Sequence, residues 1–476
     1  MLVLKKPLVI DLDNTLIKSD TLVESIVLLI KRNPLYVLVL PFWLMSGKAQ
    51  FKSKIAEKAQ LSVELLPYRT ELIEYIQAEK TSGRTIVLAT ASNEKTALAV
   101  EEHLQIFDKV LFSDVNTNMK GQTKAIKLIE LFGDKGFVYA GDSKSDLPVW
   151  QSAESAILVD CSARLKQKVL ATTPIEKEFI SNKNIFKLII KEMRIYQWVK
   201  NLLVFLPLLL AHYIGNGDMW LSALKAFFAF GFAASSVYLL NDLLDLNSDR
   251  KHRSKRNRPF ASGNLSPLYG LFLIPLLLLG AFLISLSLPT YFLLVLGAYL
   301  GVTLCYSFFV KRIYLLDILV LAGLYTLRII CGGAACDVPI SPWLLAFSMF
   351  IFLSLAAAKR YTELSQTELY DKTKLSGRGY RKVDLPLLST LGLSSGMLAV
   401  LVFAIYTFSP EVVNLYESPK FIFAACPVLL YWIGRIWFLT VRGELADDPV
   451  IFAVKDKVSY IVAVIIVSLI LLSSLC

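Results

Sequence analysis

Asp242, Asp245 and Asp249 stand at i, i+3 and i+7 in the stretch Asn241-Asp242-Leu243-Leu244-Asp245-Leu246-Asn247-Ser248-Asp249. On a helix this spacing puts all three carboxylates on one face. The stretch ends a long apolar run, so the acids fall at a membrane boundary, where charge without a partner is costly. Acidic clusters of this kind hold Mg²⁺, which in turn carries a diphosphate. The basic run Arg250-Lys251-His252-Arg253-Ser254-Lys255-Arg256-Asn257-Arg258-Pro259 follows directly and can neutralise a departing diphosphate. A plain positive loop after a polar helix end would explain the basic residues but not the spaced acids.

A second constellation lies near the N-terminus. Leu8-Val9-Ile10 leads into Asp11-Leu12-Asp13-Asn14-Thr15, and Thr85 to Leu88 leads into Thr90-Ala91-Ser92. Gly136 to Ala140 leads into Gly141-Asp142-Ser143-Lys144-Ser145-Asp146. The apolar runs read as strands, with helical patterns such as Lys124 to Phe132 between them. Alternating strands and helices predict a parallel sheet covered on both faces. Ligands bind such sheets at the carboxyl ends of the strands, where the three polar clusters should converge. Asp11, Asp13, Asp142 and Asp146 suit Mg²⁺. A carboxylate there can also be a nucleophile that forms an aspartyl-phosphate. Thr90 offers a hydroxyl to a phosphoryl oxygen, and Lys124 offers a positive charge.

DxDxT, a strand-end Thr, a Lys and GDSxxD, in that order over residues 7 to 160, resemble the haloacid dehalogenase (HAD) superfamily. The resemblance implies a Rossmann-like α/β fold with a helical cap. It also implies Asp11 as nucleophile, Asp13 as general acid/base, and Mg²⁺ held with Asp142 and Asp146. A strand-end Thr and an Asp at the acid/base position favour a phosphatase over a dehalogenase. A HAD fold kept for structure or regulation is the alternative. The cap would occupy about residues 17–82. Within it, Thr21 to Met45 is apolar but interrupted by Lys31-Arg32-Asn33-Pro34. It reads either as a buried helix pair or as an interfacial hairpin resting on a membrane.

These motifs sit on two unlike halves. The chain has 476 residues, 55% hydrophobic and 19% charged, with a mean hydropathy of +0.55. That composition excludes a disordered tail, a small disulfide scaffold and an ordinary soluble enzyme. Residues 1–180 read as the α/β domain and 181–476 as an all-α polytopic membrane domain. Nine spans are expected, near 201–214, 219–240, 267–287, 290–310, 313–333, 342–358, 385–408, 420–440 and 458–475. The net charge of +11 comes largely from alternating basic loops, so it reflects topology rather than nucleic-acid binding. The positive-inside rule puts those loops and the α/β domain in the cytoplasm, and the C-terminal Cys476 across the inner membrane. His103, His212 and His252 are too scattered for a metal site. Cys331 and Cys336 fall in an expected outer loop, where a disulfide is allowed. Met1 to Ile10 reads as a buried first strand rather than a cleavable leader.

NDxxDxxxD followed by KxxRPxxSG resembles the UbiA superfamily of intramembrane prenyltransferases, as does Arg194 to Asn201. The resemblance implies a helical bundle whose cavity opens to lipid, with Asn241, Asp242, Asp245, Asp249, Lys255 and Arg258 at the diphosphate. The usual second Asp pair is missing. In its place stand Lys359-Arg360-Tyr361-Thr362-Glu363-Leu364, then Glu368, Asp371, Lys374 and Arg378-Gly379-Tyr380-Arg381. This resembles the decaprenyl-phosphate phosphoribosyltransferase branch, as do Gly443 to Val450 and Asp456. That branch joins phosphoribosyl diphosphate to a polyprenyl phosphate. Two anionic substrates would use Lys359, Arg360, Lys374, Arg378 and Arg381, with Glu363 and Tyr380 beside them. The phosphoribosyl product keeps a 5-phosphate that a tethered HAD phosphatase would meet at raised effective concentration. Two other readings stand: prenyl transfer from a prenyl diphosphate to an aromatic ring, and a membrane-tethered phosphatase whose helical half only binds lipid. Arg328, inside an apolar span, either faces the cavity or pairs with Asp317 or another helix.

Overall fold

The computed structural model describes the chain except residues 1–4, 115–116, 182, 212, 214, 367–377, 411, 413–415, 417, 419, 446–447 and 476, and the side chains of residues 48, 49, 474 and 475. It forms two compact units: Met1–Met193 with Tyr238–Ile274, and Arg194–Val237 with Pro275–Cys476.

The first unit is built on six parallel strands: β1 (Leu8–Ile10), β2 (Ile86–Asn93), β3 (Lys109–Ser113), β4 (Val138–Gly141), β5 (Ser155–Val159) and β6 (Ile175–Phe179). Their order is β3-β2-β1-β4-β5-β6, and every pairing is parallel. The chain turns back across the sheet at β1, between β2 and β4, and such switch points open a crevice at the strand ends. β1 is apolar at every position because both its faces are covered. Leu8 and Ile10 pack into one core layer with Ile86 and Leu88, while Val9 points to the other with Tyr139 and Trp150. The first unit is therefore a parallel α/β sheet, with Asp11 after β1, Ser92 at the end of β2 and Asp142 after β4.

Three helices fill the insert between β1 and β2: α1 (Thr21–Arg32), α2 (Tyr36–Met45) and α3 (Lys48–Lys58). Asp20 caps α1, accepting from the backbone N–H of Leu22 at 2.9 Å and of Val23 at 3.1 Å. An antiparallel bridge between Ile17 and Tyr68 closes the base of the insert. The first unit also takes in the loop after the acidic motif. Gly263 there has a φ of +69°, and a Cβ on it would lie 2.7 Å from Lys18 Cβ. Only glycine fits both that backbone and that approach.

Across the chain, seven described helices are long and apolar enough to cross a membrane: Gly217–Leu244, Pro267–Ser285, Thr290–Phe308, Leu316–Cys336, Pro342–Ser365, Lys382–Tyr406 and Lys420–Val441. Pro449–Lys455 and Lys457–Ser473, bent by 81° at their junction, make an eighth if they act as one span. The nine expected spans are thus one or two too many among the described residues. The segment expected as the first span forms a helical stretch, Ile195–Leu210, that is shorter than the spans above. A 3₁₀ stretch (Ile195–Phe205) gives way to one short α turn (Leu206–Leu210) at Pro207. Cys331 and Cys336 do not lie in a loop; both are buried in helix Leu316–Cys336 as free thiols. In the second unit Gly392 lets helices meet closely, since a Cβ there would sit 2.0 Å from Trp437.

Candidate active sites

At the carboxyl edge of the sheet lies a cavity of about 250 Å³ lined by Asp11, Asp13, Ser92, Lys124, Asp142 and Asp146, with Lys52 reaching in from α3. Lys124 is buried and donates to Asp11 Oδ1 at 2.9 Å. Lys124 Nζ lies 2.8 Å from Tyr139 Oη, which donates to Asp146 Oδ1 at 2.9 Å. Asp146 also accepts from the Ser143 backbone and hydroxyl. Asp13 is held differently, by the Thr21 N–H at 2.8 Å and the Ser92 hydroxyl at 2.7 Å. Nucleophile and acid candidates thus have separate, fixed orientations.

Burial, opposed by Lys124 and helped by Asp146, pushes the Asp11 carboxyl up to about 6. Burial with the Asp20 charge raises Asp13 to about 6. Asp142 rises to about 8 through burial and the repulsion of Asp11 and Asp146. An Asp near 6 can both give and take a proton near neutrality. Oxygens of Asp11, Asp142 and Asp146 lie within 4.8 Å of one another. Three crowded carboxylates against one lysine form a donor set that fits a hard divalent cation. Asp13 is outside that group and is engaged by Thr21 and Ser92.

Thr90 does not line the cavity. It is fully buried, and its hydroxyl accepts from the Ser92 N–H at 3.0 Å. Ser92, two residues on, presents its hydroxyl instead, because alternate residues of a strand point the same way and Thr90 is one step too deep. Lys52 was not legible as a site residue. Its Nζ donates to the Ala91 carbonyl at 2.7 Å and to Asn118 Oδ1 at 3.2 Å. A lysine-rich amphipathic helix gives no sequence signal for which lysine turns inward.

The acidic motif also belongs to the first unit. Asp242 ends the long helix, and Asp249 lies on the short helix Leu246–Lys251. Arg258 Nη1 bridges them, 2.7 Å from Asp242 Oδ1 and 2.6 Å from Asp249 Oδ2. Burial, partly offset by Arg258, raises the Asp249 carboxyl. Asp245 faces Lys31 of α1 at 3.6 Å. Asn241 is half-buried beside Asp242, and Lys255 opens the short turn Lys255–Asn257. Arg250 makes a bidentate pair with Glu24 of α1, at 2.7 and 2.6 Å, and both side chains are buried. The carboxylates that a Mg²⁺–diphosphate would use are thus closed over a guanidinium of the same loop. The donor set fits such a group once Arg258 turns to the phosphate oxygens.

The remaining sequence candidates meet in the second unit. Arg360 is fully buried and donates from Nε and Nη2 to the two oxygens of Asp317, at 2.7 and 3.0 Å. Arg360 also pairs with Glu363. Arg378 approaches Asp317 at 3.6 Å and Glu363 at 3.4 Å. Tyr306 donates to Asp317 Oδ1 at 2.7 Å. Tyr380 Oη accepts from the Leu315 N–H at 2.9 Å, which pins the returning loop. Among the described residues, two guanidiniums therefore face two carboxylates. Lys359 differs: it and Lys200 share Asp448, with Lys359 at 3.2 Å. Burial alone would raise the Asp448 carboxyl, but Lys359 and Lys200 hold it well below the usual carboxylate range. Lys359 also lines a small cavity with Leu321, Tyr325 and Val450. Arg328 donates to Asn201 Oδ1 at 3.2 Å and packs on Phe230, Tyr299 and Tyr325. Glu368, Asp371, Lys374 and Asp447 lie outside the described residues.

Residues 202–471 match the UbiA prenyltransferase family. An uncharacterised protein of Sinorhizobium fredii is 36% identical over 98% of this chain and 90% of its own length. The chain belongs to the UbiA prenyltransferase family. A decaprenyl-phosphate phosphoribosyltransferase of Mycolicibacterium smegmatis is 33% identical over 287 residues, 58% of this chain and 89% of its own. A substrate-bound phosphoserine phosphatase structure overlays 39% of this chain and 98% of its own, at a TM-score of 0.27 and 16% identity. This UbiA protein is an enzyme with two kinds of domain, and several of its helices are long enough to make it a multi-pass membrane protein.

Proposed function

We propose that the membrane half joins phosphoribosyl diphosphate to a polyprenyl phosphate, and that the α/β half then removes the 5-phosphate. In the first step the bond from C1 to the diphosphate breaks, and a polyprenyl phosphate oxygen bonds to C1. Asp242, Asp245 and Asp249, with Asn241, would hold Mg²⁺ at the donor's diphosphate, and the ion would supply positive charge against the leaving group. Arg258 leaves its carboxylates for the diphosphate, and Lys255 stands beside it. Lys200 and Lys359 outnumber Asp448 two to one, and that surplus suits the anionic lipid phosphate. Arg360, Glu363, Arg378 and Tyr380 act as positioning residues around the end of helix Pro342–Ser365 that carries Lys359.

In the second step Asp11 attacks the 5-phosphate, and the ester P–O bond breaks. Asp13 gives its proton to the departing sugar oxygen, then takes one from the water that hydrolyses the aspartyl-phosphate. Lys124 and the Ser92 hydroxyl offer donors to the phosphoryl oxygens, and Asp11, Asp142 and Asp146 would hold Mg²⁺, which would supply further positive charge there. The product is a lipid-linked ribose.

One observation carries this reading. The buried Glu24–Arg250 pair ties the phosphatase cap to the loop that bears the transferase acids. This reading has both chemistries act at one face of the bilayer, and the alternation of basic loops supports the cytoplasmic one. The test is transfer of label from phosphoribosyl diphosphate into lipid by the full chain in nanodiscs with polyprenyl phosphate and Mg²⁺. Label in lipid, abolished by Asp242→Asn, supports it. No label, with consumption of a prenyl diphosphate in the presence of an aromatic acceptor, replaces it with prenyl transfer to a ring.

A further inference from the structure

α2, Tyr36–Met45, has the sequence YVLVLPFWLM, with no charged residue, and no side chain on it is buried. Its inner side is accounted for: Tyr36, Leu40 and Trp43, at i, i+4 and i+7, pack on Leu29 of α1 and on Phe51 and Ile55 of α3. The opposite side is just as apolar and has no cover. Leu35, Leu38, Phe42 and Met45, at i, i+3, i+7 and i+10, are 65%, 67%, 70% and 85% exposed. A helix that is apolar all round belongs in a core or in lipid, and a patch of this kind on a water-facing cap would be costly. Ten residues span about 15 Å, too short to cross a bilayer.

The position of α2 in the chain selects the occupant. α1, which leads into it, is fixed at two points to the loop just after the membrane span Gly217–Leu244: Glu24 to Arg250 and Lys31 to Asp245. α2 is therefore anchored beside a membrane boundary by its own compact unit. Lys31 and Arg32 precede it and Lys54 follows in α3, as expected where a helix meets headgroups.

We propose that α2 is an interfacial helix whose Leu35–Leu38–Phe42–Met45 face lies in the headgroup layer of the bilayer. Cap and membrane then move as one, and the mouth of the Asp11 cavity, which α1 and α3 also line, is presented to lipid-borne phosphoesters. The depth of α2 does not depend on what either active site turns over.

The test uses the full chain in nanodiscs of phosphatidylcholine and phosphatidylglycerol whose acyl chains are brominated near the glycerol. A fluorescent amino acid is incorporated singly at Leu38 or Phe42, at Phe272 in span Pro267–Ser285 as the lipid reference, and at Leu98 on the sheet domain as the aqueous one. Quenching at Leu38 and at Phe42 is expected to reach at least about half that at Phe272, as for a face seated ~5–10 Å into the interface. Leu38→Asp is expected to reduce quenching at the Phe42 reporter severalfold. Quenching at either position no greater than at Leu98 overturns the proposal. That result would also follow if a second copy of the chain covered α2.

Discussion

Two acidic clusters share the first unit and are balanced in opposite ways. At the sheet edge, Asp11, Asp142 and Asp146 face a single buried lysine, and burial, helped by repulsion between the acids, lifts the Asp11 and Asp142 carboxyls. At the span end, Arg258 takes Asp242 and Asp249 together, and Lys31 approaches Asp245. The first cluster is short of positive charge and is built to take a divalent cation on its own. The second is closed over its own arginine, so a cation should enter it with the diphosphate that draws Arg258 away. On the proposed function, one unit holds a site that would take Mg²⁺ directly and a site that substrate would open.

The largest expected effect separates the two. Asp11→Asn should lower phosphate release at least about a thousandfold, through loss of the nucleophile, while lipid labelling persists. Asp242→Asn should do the reverse, cutting transfer by about 10²–10³-fold with phosphatase turnover unchanged. If one substitution abolished both activities, the comparison would fail. Arg360→Met tests the ion-pair network of the second unit. It leaves Asp317 buried without its bidentate partner, a cost of about 3–5 kcal/mol, read as a fall in thermal stability in detergent. Arg360→Met with Asp317→Asn should recover part of that loss.

A pH titration in chelator sharpens the contrast. Asp11 and Asp13 sit near 6 and Asp142 near 8 in the folded chain. The folded state therefore keeps protons that the unfolded chain releases near pH 4. The stability they contribute is fully present below pH 4 and is lost as pH rises through 6 and 8. Hydrogen-exchange protection of β4 should fall across that window and return on adding Mg²⁺, while helix Pro342–Ser365 stays unchanged. The smallest effect is Lys31→Ala. It removes a partly exposed pair and should cost under about 1 kcal/mol in the same unfolding assay.

How much of this the sequence discloses depends on distance along the chain. β1, β2 and β4 are readable because each is a buried apolar run ending in polar residues, and Asp11, Asp13, Lys124, Asp142 and Asp146 converge as the strand order demands. β6, Ile-Glu-Lys-Glu-Phe, is masked by charge, which suits the exposed edge of a sheet. Thr90 and Ser92 differ by one step in strand depth, which composition does not encode. Lys200 and Asp448 are 248 residues apart, and Arg360 and Asp317 are 43 apart. Partners that remote become visible only in the fold, which is why Arg360 and Arg378 read as cations open to substrate. Hydropathy cannot tell a helix hidden in a core from one offered to lipid, so α2 stayed ambiguous until its outer face was seen. It also counts apolar residues without seeing that Ile195–Leu210 is a short helix, mostly 3₁₀, and so overstates the spans.

On the proposed function, one chain makes a phosphorylated lipid-linked sugar and then dephosphorylates it. Mass spectrometry of the lipid fraction from wild type and Asp11→Asn tests this most directly, using phosphoribosyl diphosphate, polyprenyl phosphate and Mg²⁺. The account predicts polyprenyl-phosphate ribose from wild type, and the same lipid heavier by one phosphate from Asp11→Asn. Identical lipid products from the two proteins would contradict it.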